Sequence, residues 1–170
     1  MSEGIGASVK RKEDKKFLTG GKIVGCFHLF GKEPEKHLCV AEGYATAATI
    51  HDATGYAVAV AFNAGNLLPV SKELREKYPE TQLIICADDD WKTNGNSGLS
   101  KAKEAALDTG AYLAVPDFGE SRGSGETDFN DLHRSKDLDS VRTVIVNNRL
   151  SPQELKKKTD VAILAALASN

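Results

Sequence analysis

Three consecutive acids, Asp88-Asp89-Asp90, close a short apolar run, Leu83-Ile84-Ile85-Cys86-Ala87. Side chains alternate along an extended chain, so Asp88 and Asp90 project to one side and Asp89 to the other. Two carboxylates on one side repel unless a positive charge lies between them, and a hard divalent cation such as Mg2+ is the usual occupant. The competing reading is a solvated acidic turn in which Asp89 or Asp90 caps the next helix. Two more acidic elements tip the balance towards a cation: Glu42, followed directly by Gly43, and the pair Asp128 and Asp131 within Asp128-Phe129-Asn130-Asp131. Gathered carboxylates cost free energy unless a cation neutralises them, so their convergence argues for a bound metal. Magnesium keeps most of its waters and is completed by substrate phosphates, which suits a site with few protein ligands. The chemistry implied is phosphoryl transfer, with a glutamate at or near the metal moving a proton. Lys101, Lys103 and Arg122 are then available to neutralise a nucleic-acid backbone, or are ordinary solvated surface.

The elements around these acids explain how they could meet. An apolar run of four to eight residues reads as a strand buried on both faces, as in a parallel sheet, and in such sheets ligands bind at the carboxyl ends of the strands. Leu83 to Ala87 fits that pattern and delivers its acids to that edge. His37 to Ala41 is another strand and delivers Glu42; the alanine-rich Tyr44 to Thr54 is a helix after it, with Gly55 past its end. Ala57 to Ala61 is a third apolar strand, Pro69 lies in the first turn of a helix with Val70 and Leu74 on its buried side, and Ser100 to Asp108 is a helix ended by Gly110. Ala111 to Val115 follows as a strand. This alternation predicts an α/β domain with a mostly parallel sheet of about four strands flanked by helices, a Rossmann-like arrangement.

The flanks are less regular. Residues 1 to 21 are charged, poor in apolar side chains and closed by Gly20-Gly21, and read as a tether, with 22 to 150 as the domain and 151 to 170 as a closing helix that packs on it or on a neighbour. Ile23 to Phe30 reads as a strand forming an amino-terminal hairpin with His37 to Ala41. Across such a hairpin Cys26, His28, His37 and Cys39 could supply zinc ligands, although their spacing is not that of common structural zinc sites. Pro116 to Thr127, rich in glycine and charge, reads as a mobile loop at the catalytic edge. Val141 to Val146 suits either a strand or a helix starting at Asp139 or Ser140. Ser151-Pro152-Gln153-Glu154 is a capping-box helix start.

Composition sets outer bounds. The 170 residues are 41% hydrophobic and 27% charged, with a formal net charge of -2, so any nucleic-acid contact must come from a local patch. Three cysteines, an odd number in apolar surroundings, read as reduced core thiols of a cytoplasmic protein, and neither a secretory signal nor a membrane-spanning run is evident.

Taken together, Val40-Ala41-Glu42-Gly43-Tyr44-Ala45-Thr46-Ala47, Asn63-Ala64-Gly65-Asn66-Leu67, Ala87-Asp88-Asp89-Asp90 with Asn96-x-Gly98 and Lys101-Ala102, and Asp128-Phe129-Asn130-Asp131-Leu132 resemble the Toprim domain. That is the catalytic module of DnaG-type primases, topoisomerases and some nucleases, and the closest likeness is to primases carried by plasmids, phages and integrated elements. The resemblance covers about residues 22 to 150. It implies that Glu42 acts as general acid or base or as a metal ligand, that Asp88 and Asp90 bind Mg2+ or Mn2+, and that Asp128 adds to the metal set. Gly43, Asn66, Lys101 and Asp131, in the same motifs, are the implied substrate contacts. The implied function is synthesis of RNA primers on a single-stranded DNA template from NTPs, with a zinc-ribbon or helicase domain as a partner in the parent protein. The paired C-x-x-C pattern of a zinc ribbon is absent from this sequence. A Toprim-type nuclease and a non-catalytic nucleic-acid-binding module are the alternatives.

Overall fold

The computed structural model describes residues 20–168. Its centre is a five-stranded sheet built from β1 (His28–Phe30), β2 (His37–Ala41), β3 (Ala57–Val60), β4 (Gln82–Cys86) and β5 (Tyr112–Ala114), in the order β1-β3-β2-β4-β5. β3, β2, β4 and β5 run parallel to one another, and β1 is an antiparallel edge strand on β3. The residues of β3 and the run from Leu38 to Ala41 are all buried, as are Leu83 to Cys86, which is why these strands are uniformly apolar and not alternating.

Among the described residues six α-helices cover the two faces: α1 (Tyr44–Thr54), α2 (Leu67–Lys77), α3 (Ser97–Thr109), α4 (Phe129–Ser135), α5 (Leu138–Val146) and α6 (Pro152–Ala168). Leu38, Val40, Leu83 and Ile85 point into a core shared with Val70 and Leu74 of α2, Ala102, Ala105 and Ala106 of α3, and Leu155 of α6. Cys39, Ala41, Ile84 and Cys86 point the other way, against Ile50 of α1, Leu132 of α4 and Val141 and Ile145 of α5. The period of two along each strand thus sorts one continuous apolar run into two separate cores.

Three expectations change. The amino-terminal hairpin does not form: β1 pairs with β3, so β2 lies between β3 and β4. The chain from Ile23 to Cys26 is a turn closed by a Cys26 N–H bond to the Ile23 carbonyl, 2.9 Å, and this turn leaves a three-residue strand that can add at the sheet edge. The zinc reading falls with the hairpin. Cys39 is buried in β2 while Cys26 is exposed, the His37 ring stacks on Tyr56 at 4.5 Å, and among the described residues no three His, Cys, Asp or Glu side chains are already gathered as a metal cage. The undecided segment Val141 to Val146 is helical. Asp137, and neither Asp139 nor Ser140, caps it by accepting the Ser140 N–H at 2.7 Å, and Val141, Val144 and Ile145 form one buried stripe.

The closing helix begins with the anticipated capping box, in which Ser151 N–H and hydroxyl both donate to Glu154. It docks through Leu155, and Val161, Ile163, Leu164 and Leu167 are 54–68% exposed. The charged tether falls, for residues 1–19, outside the described residues. Among the described residues no helix is long and apolar enough to cross a membrane.

Candidate metal and active site

The strand order makes the site. From β2 the chain crosses through α1 to β3 on one side, then returns through α2 to β4 on the other. The carboxyl ends of β2 and β4 are therefore the point where the winding reverses and a crevice opens. Ala41 is in register with Cys86, so Glu42 leaves β2 beside Ala87 and Asp88 follows one residue on. Glu42, Asp88, Asp89 and Asp90 are all half-buried there.

Asp88 is the centre of the cluster. Its carboxyl is raised from 3.8 to about 8, first by burial and then by the negative charges of Glu42, Asp128, Asp90 and Asp131, in that order. One oxygen, Oδ1, is buried without a hydrogen-bond partner. Four acids from three distant segments thus act on the Asp88 carboxyl. An orphaned carboxylate oxygen facing four like charges is a donor set suited to a hard cation. Among the described residues no three His, Cys, Asp or Glu side chains stand close enough to hold an ion by themselves, so any ion here would need ligands from outside this set.

Asp89 has another task. Its Oδ2 pairs with Arg122 Nη1 at 2.6 Å and its Oδ1 accepts from Asn96 Nδ2. The Arg122 guanidinium also donates to the Asp89 carbonyl at 2.7 Å and twice to the Glu126 carbonyl, at 2.9 and 2.7 Å. It lies over the Phe118 ring, 4.7 Å from the centroid. Arg122 is thus engaged inside the chain and not held ready for a phosphate, and it pins the glycine-rich loop expected to be mobile. The middle acid of the triplet is its counter-ion, so Asp89 is set apart from Asp88 and Asp90 by its partner.

The carboxyl-terminal acids are organised by a small network. Asp128 Oδ1 accepts the Asp131 N–H at 2.8 Å, capping α4, and Asp128 Oδ2 accepts the Thr46 hydroxyl at 2.8 Å. Asp131 Oδ2 accepts the Thr127 N–H at 3.0 Å. Thr49 donates to Asn130 Oδ1 at 3.1 Å. Both oxygens of Asp128 are therefore tied to the fold while its charge still reaches Asp88. Thr46 and Thr49 carry no role in the sequence reading; two hydroxyls three residues apart on the otherwise apolar face of a helix were the available sign of a buried polar partner.

The remaining implied substrate contacts sit differently. Asn66 is 3% exposed, its Nδ2 donates to the Cys26 and Ala61 carbonyls and its Oδ1 accepts the Gly25 N–H, each at 2.9 Å. Its amide ties the turn before β1 to the end of β3, so the hydrogen bonds it makes are spent inside the chain. Gly43 precedes α1 with φ -102, a conformation open to any residue, and an added Cβ there would meet the Thr46 hydroxyl at 3.4 Å. Lys101, one turn into α3, pairs with Glu104 at 2.7 Å in a half-exposed bridge. Gly98 proves more exacting than expected: a Cβ there would lie 2.7 Å from the Asp88 carbonyl oxygen and 3.1 Å from its Cβ, so only glycine lets α3 begin against the end of β4.

Residues 37–139 match the family described as Toprim domain. Two curated relatives, each a DNA primase TraC from Escherichia coli, are 39% and 40% identical over 112 residues, covering 61% of this chain in both cases but 11% and 8% of the relatives' own lengths. The chain therefore spans a small part of the curated relatives it matches. The matched interval contains Glu42, the aspartate triplet, Asp128 and Asp131.

Proposed function

On the premise that the chain belongs to the Toprim domain family, we propose that it is the metal-dependent catalytic core of a DNA primase of the kind carried by mobile elements, joining ribonucleotides on a single-stranded DNA template. The similarity to two DNA primases supports the reaction class. The observation that carries the reading to named residues is the buried, unpartnered oxygen of Asp88, with its carboxyl raised to about 8 among four other acids.

In this reading residues 22–150 are the catalytic unit, with Asp88 and Asp90 as ligands of Mg2+ or Mn2+. When bound, such an ion supplies the positive charge that polarises the transferred phosphate. Glu42, at the end of the neighbouring strand, takes the proton from the attacking primer hydroxyl or completes the metal set. Asp128 and Asp131 contribute negative charge while fixing α4 against α1. Gly43 leaves the approach to Glu42 free of a side chain, and Lys101 lies on α3 where it can exchange Glu104 for a phosphate. Zinc-ribbon or helicase partners belong to the parent protein in this reading.

Primer synthesis tests it: template, NTPs and Mg2+ with the full chain and with its parent protein. Template-dependent oligoribonucleotides are expected, with Glu42→Gln lowering the rate by about 10²–10⁴-fold. Cleavage of DNA without synthesis, abolished by the same variant, would replace this reading with that of a nuclease.

A further inference from the structure

The residue that follows the aspartate triplet is the chain's single tryptophan, and nothing assigned so far uses it. Trp91 is 47% exposed, an unusual setting for so large an apolar ring beside three carboxylates. It is not loose. The Arg122 guanidinium lies 5.3 Å from its ring centroid and 4.7 Å from that of Phe118, which is buried. Arg122 is itself fixed by Asp89 and by the Glu126 carbonyl. A ladder of Phe118, Arg122 and Trp91 therefore climbs from the core to the surface, each step held in place by the one below. Lys92 lies beside its outer end, with Nζ 5.0 Å from the indole centroid.

An exposed aromatic ring backed by one cation and flanked by another, at the lip of a candidate phosphate-handling site, is an arrangement that binds single strands, where bases stack on the ring and the cation takes the backbone. We propose that Trp91 is a stacking shelf for a nucleobase of a single-stranded nucleic acid lying at the carboxylate cluster, with Lys92 meeting the strand's phosphate. The class of ligand rests on the functional reading above; the shelf itself rests on the ladder. Arg122 acts here as a positioning residue that sets the plane of the indole and touches no ligand.

Because Trp91 is the only tryptophan, its intrinsic fluorescence reports directly on the shelf. The full chain is titrated with short oligo(dT) and, separately, with UTP and ATP, each in EDTA and in Mg2+. A fluorescein-labelled oligonucleotide measures affinity by anisotropy for Trp91→Ala, Trp91→Phe and Lys92→Ala, with circular dichroism melts verifying the fold. Saturable quenching by oligo(dT), a loss of about 5- to 100-fold in affinity for Trp91→Ala, and recovery to within about threefold for Trp91→Phe are expected. Lys92→Ala is expected to weaken binding and flatten its salt dependence by about one phosphate contact. Unchanged fluorescence at saturating oligonucleotide, equal affinity for Trp91→Ala, no oligonucleotide binding at all, or quenching by mononucleotides that equals that by the strand would each overturn the proposal. Trp91-dependent strand binding without primer synthesis upholds the shelf and rejects the primase reading; synthesis by a chain whose Trp91 is unaffected by the strand does the reverse.

Discussion

At the scale of single residues, the strongest consequence is the proton on Asp88. Without a cation the folded chain holds it up to about pH 8, whereas the unfolded chain releases it near 3.8. Between those values the native state binds more protons than the unfolded state, so stability falls as pH rises from about 4 to about 8 and then levels off. Asp88→Asn is expected to remove that fall and to exceed the unmodified chain at pH 8.5 in EDTA by about 1–3 kcal/mol, read from denaturant melts across pH. Mg2+ at pH 8 is expected to raise the melting temperature of the unmodified chain and leave Asp88→Asn unmoved. A variant that keeps the slope would show that the proton sits elsewhere. Asp88 and Glu42 were legible as a pair because both end apolar strands. The private partnership of Asp89 with Arg122 was not, because the two residues are 33 apart and the sequence pointed the triplet at a cation and Arg122 at a nucleic-acid backbone or solvent.

At the scale of elements, the site depends on close approaches that hydrophobic patterning does not encode. Gly98→Ala would push a methyl into the Asp88 backbone; it is expected to cost about 1–3 kcal/mol and to weaken metal binding, because α3 must retreat from the end of β4. Melting alongside a metal titration checks both. Asn66→Ala removes the partner of the part-buried Gly25 N–H and of the Cys26 and Ala61 carbonyls, the last of them a buried bond, and is expected to cost about 1–3 kcal/mol with metal affinity retained; loss of metal binding in a still-folded variant would argue that Asn66 touches the site after all. The parallel strands and the helices between them were readable from periodicity and from residues such as Gly55 and Gly110, both of which adopt positive φ past helix ends. The placement of β1 was not, because a short edge strand can pair on either side of its neighbour and only the packed sheet decides. Val141 to Val146 was ambiguous for a related reason: β-branched residues favour strands, and burial at positions 141, 144 and 145 against α1 overrode that preference.

At the scale of the whole molecule, the domain and its closing helix separate in their contribution to stability. Leu155 is buried and the helix beyond it is exposed. Leu155→Ala is expected to cost about 2–5 kcal/mol, while ending the chain after Asp160 is expected to shift the melting temperature little; a large loss on truncation would mean that Val161 to Ala168 supports the core. The sheet's winding, not any one motif, brings Glu42, Asp88 and Asp128 to one crevice from segments that are far apart in the chain. Binding of Mn2+ at pH 7.5, followed by calorimetry in buffers of different ionisation enthalpy, tests that claim most directly. Saturable binding with net proton release is expected, abolished in Asp88→Asn and weakened by at least about tenfold in Glu42→Gln. Binding that survives both substitutions unchanged, or none in the unmodified chain, would contradict it.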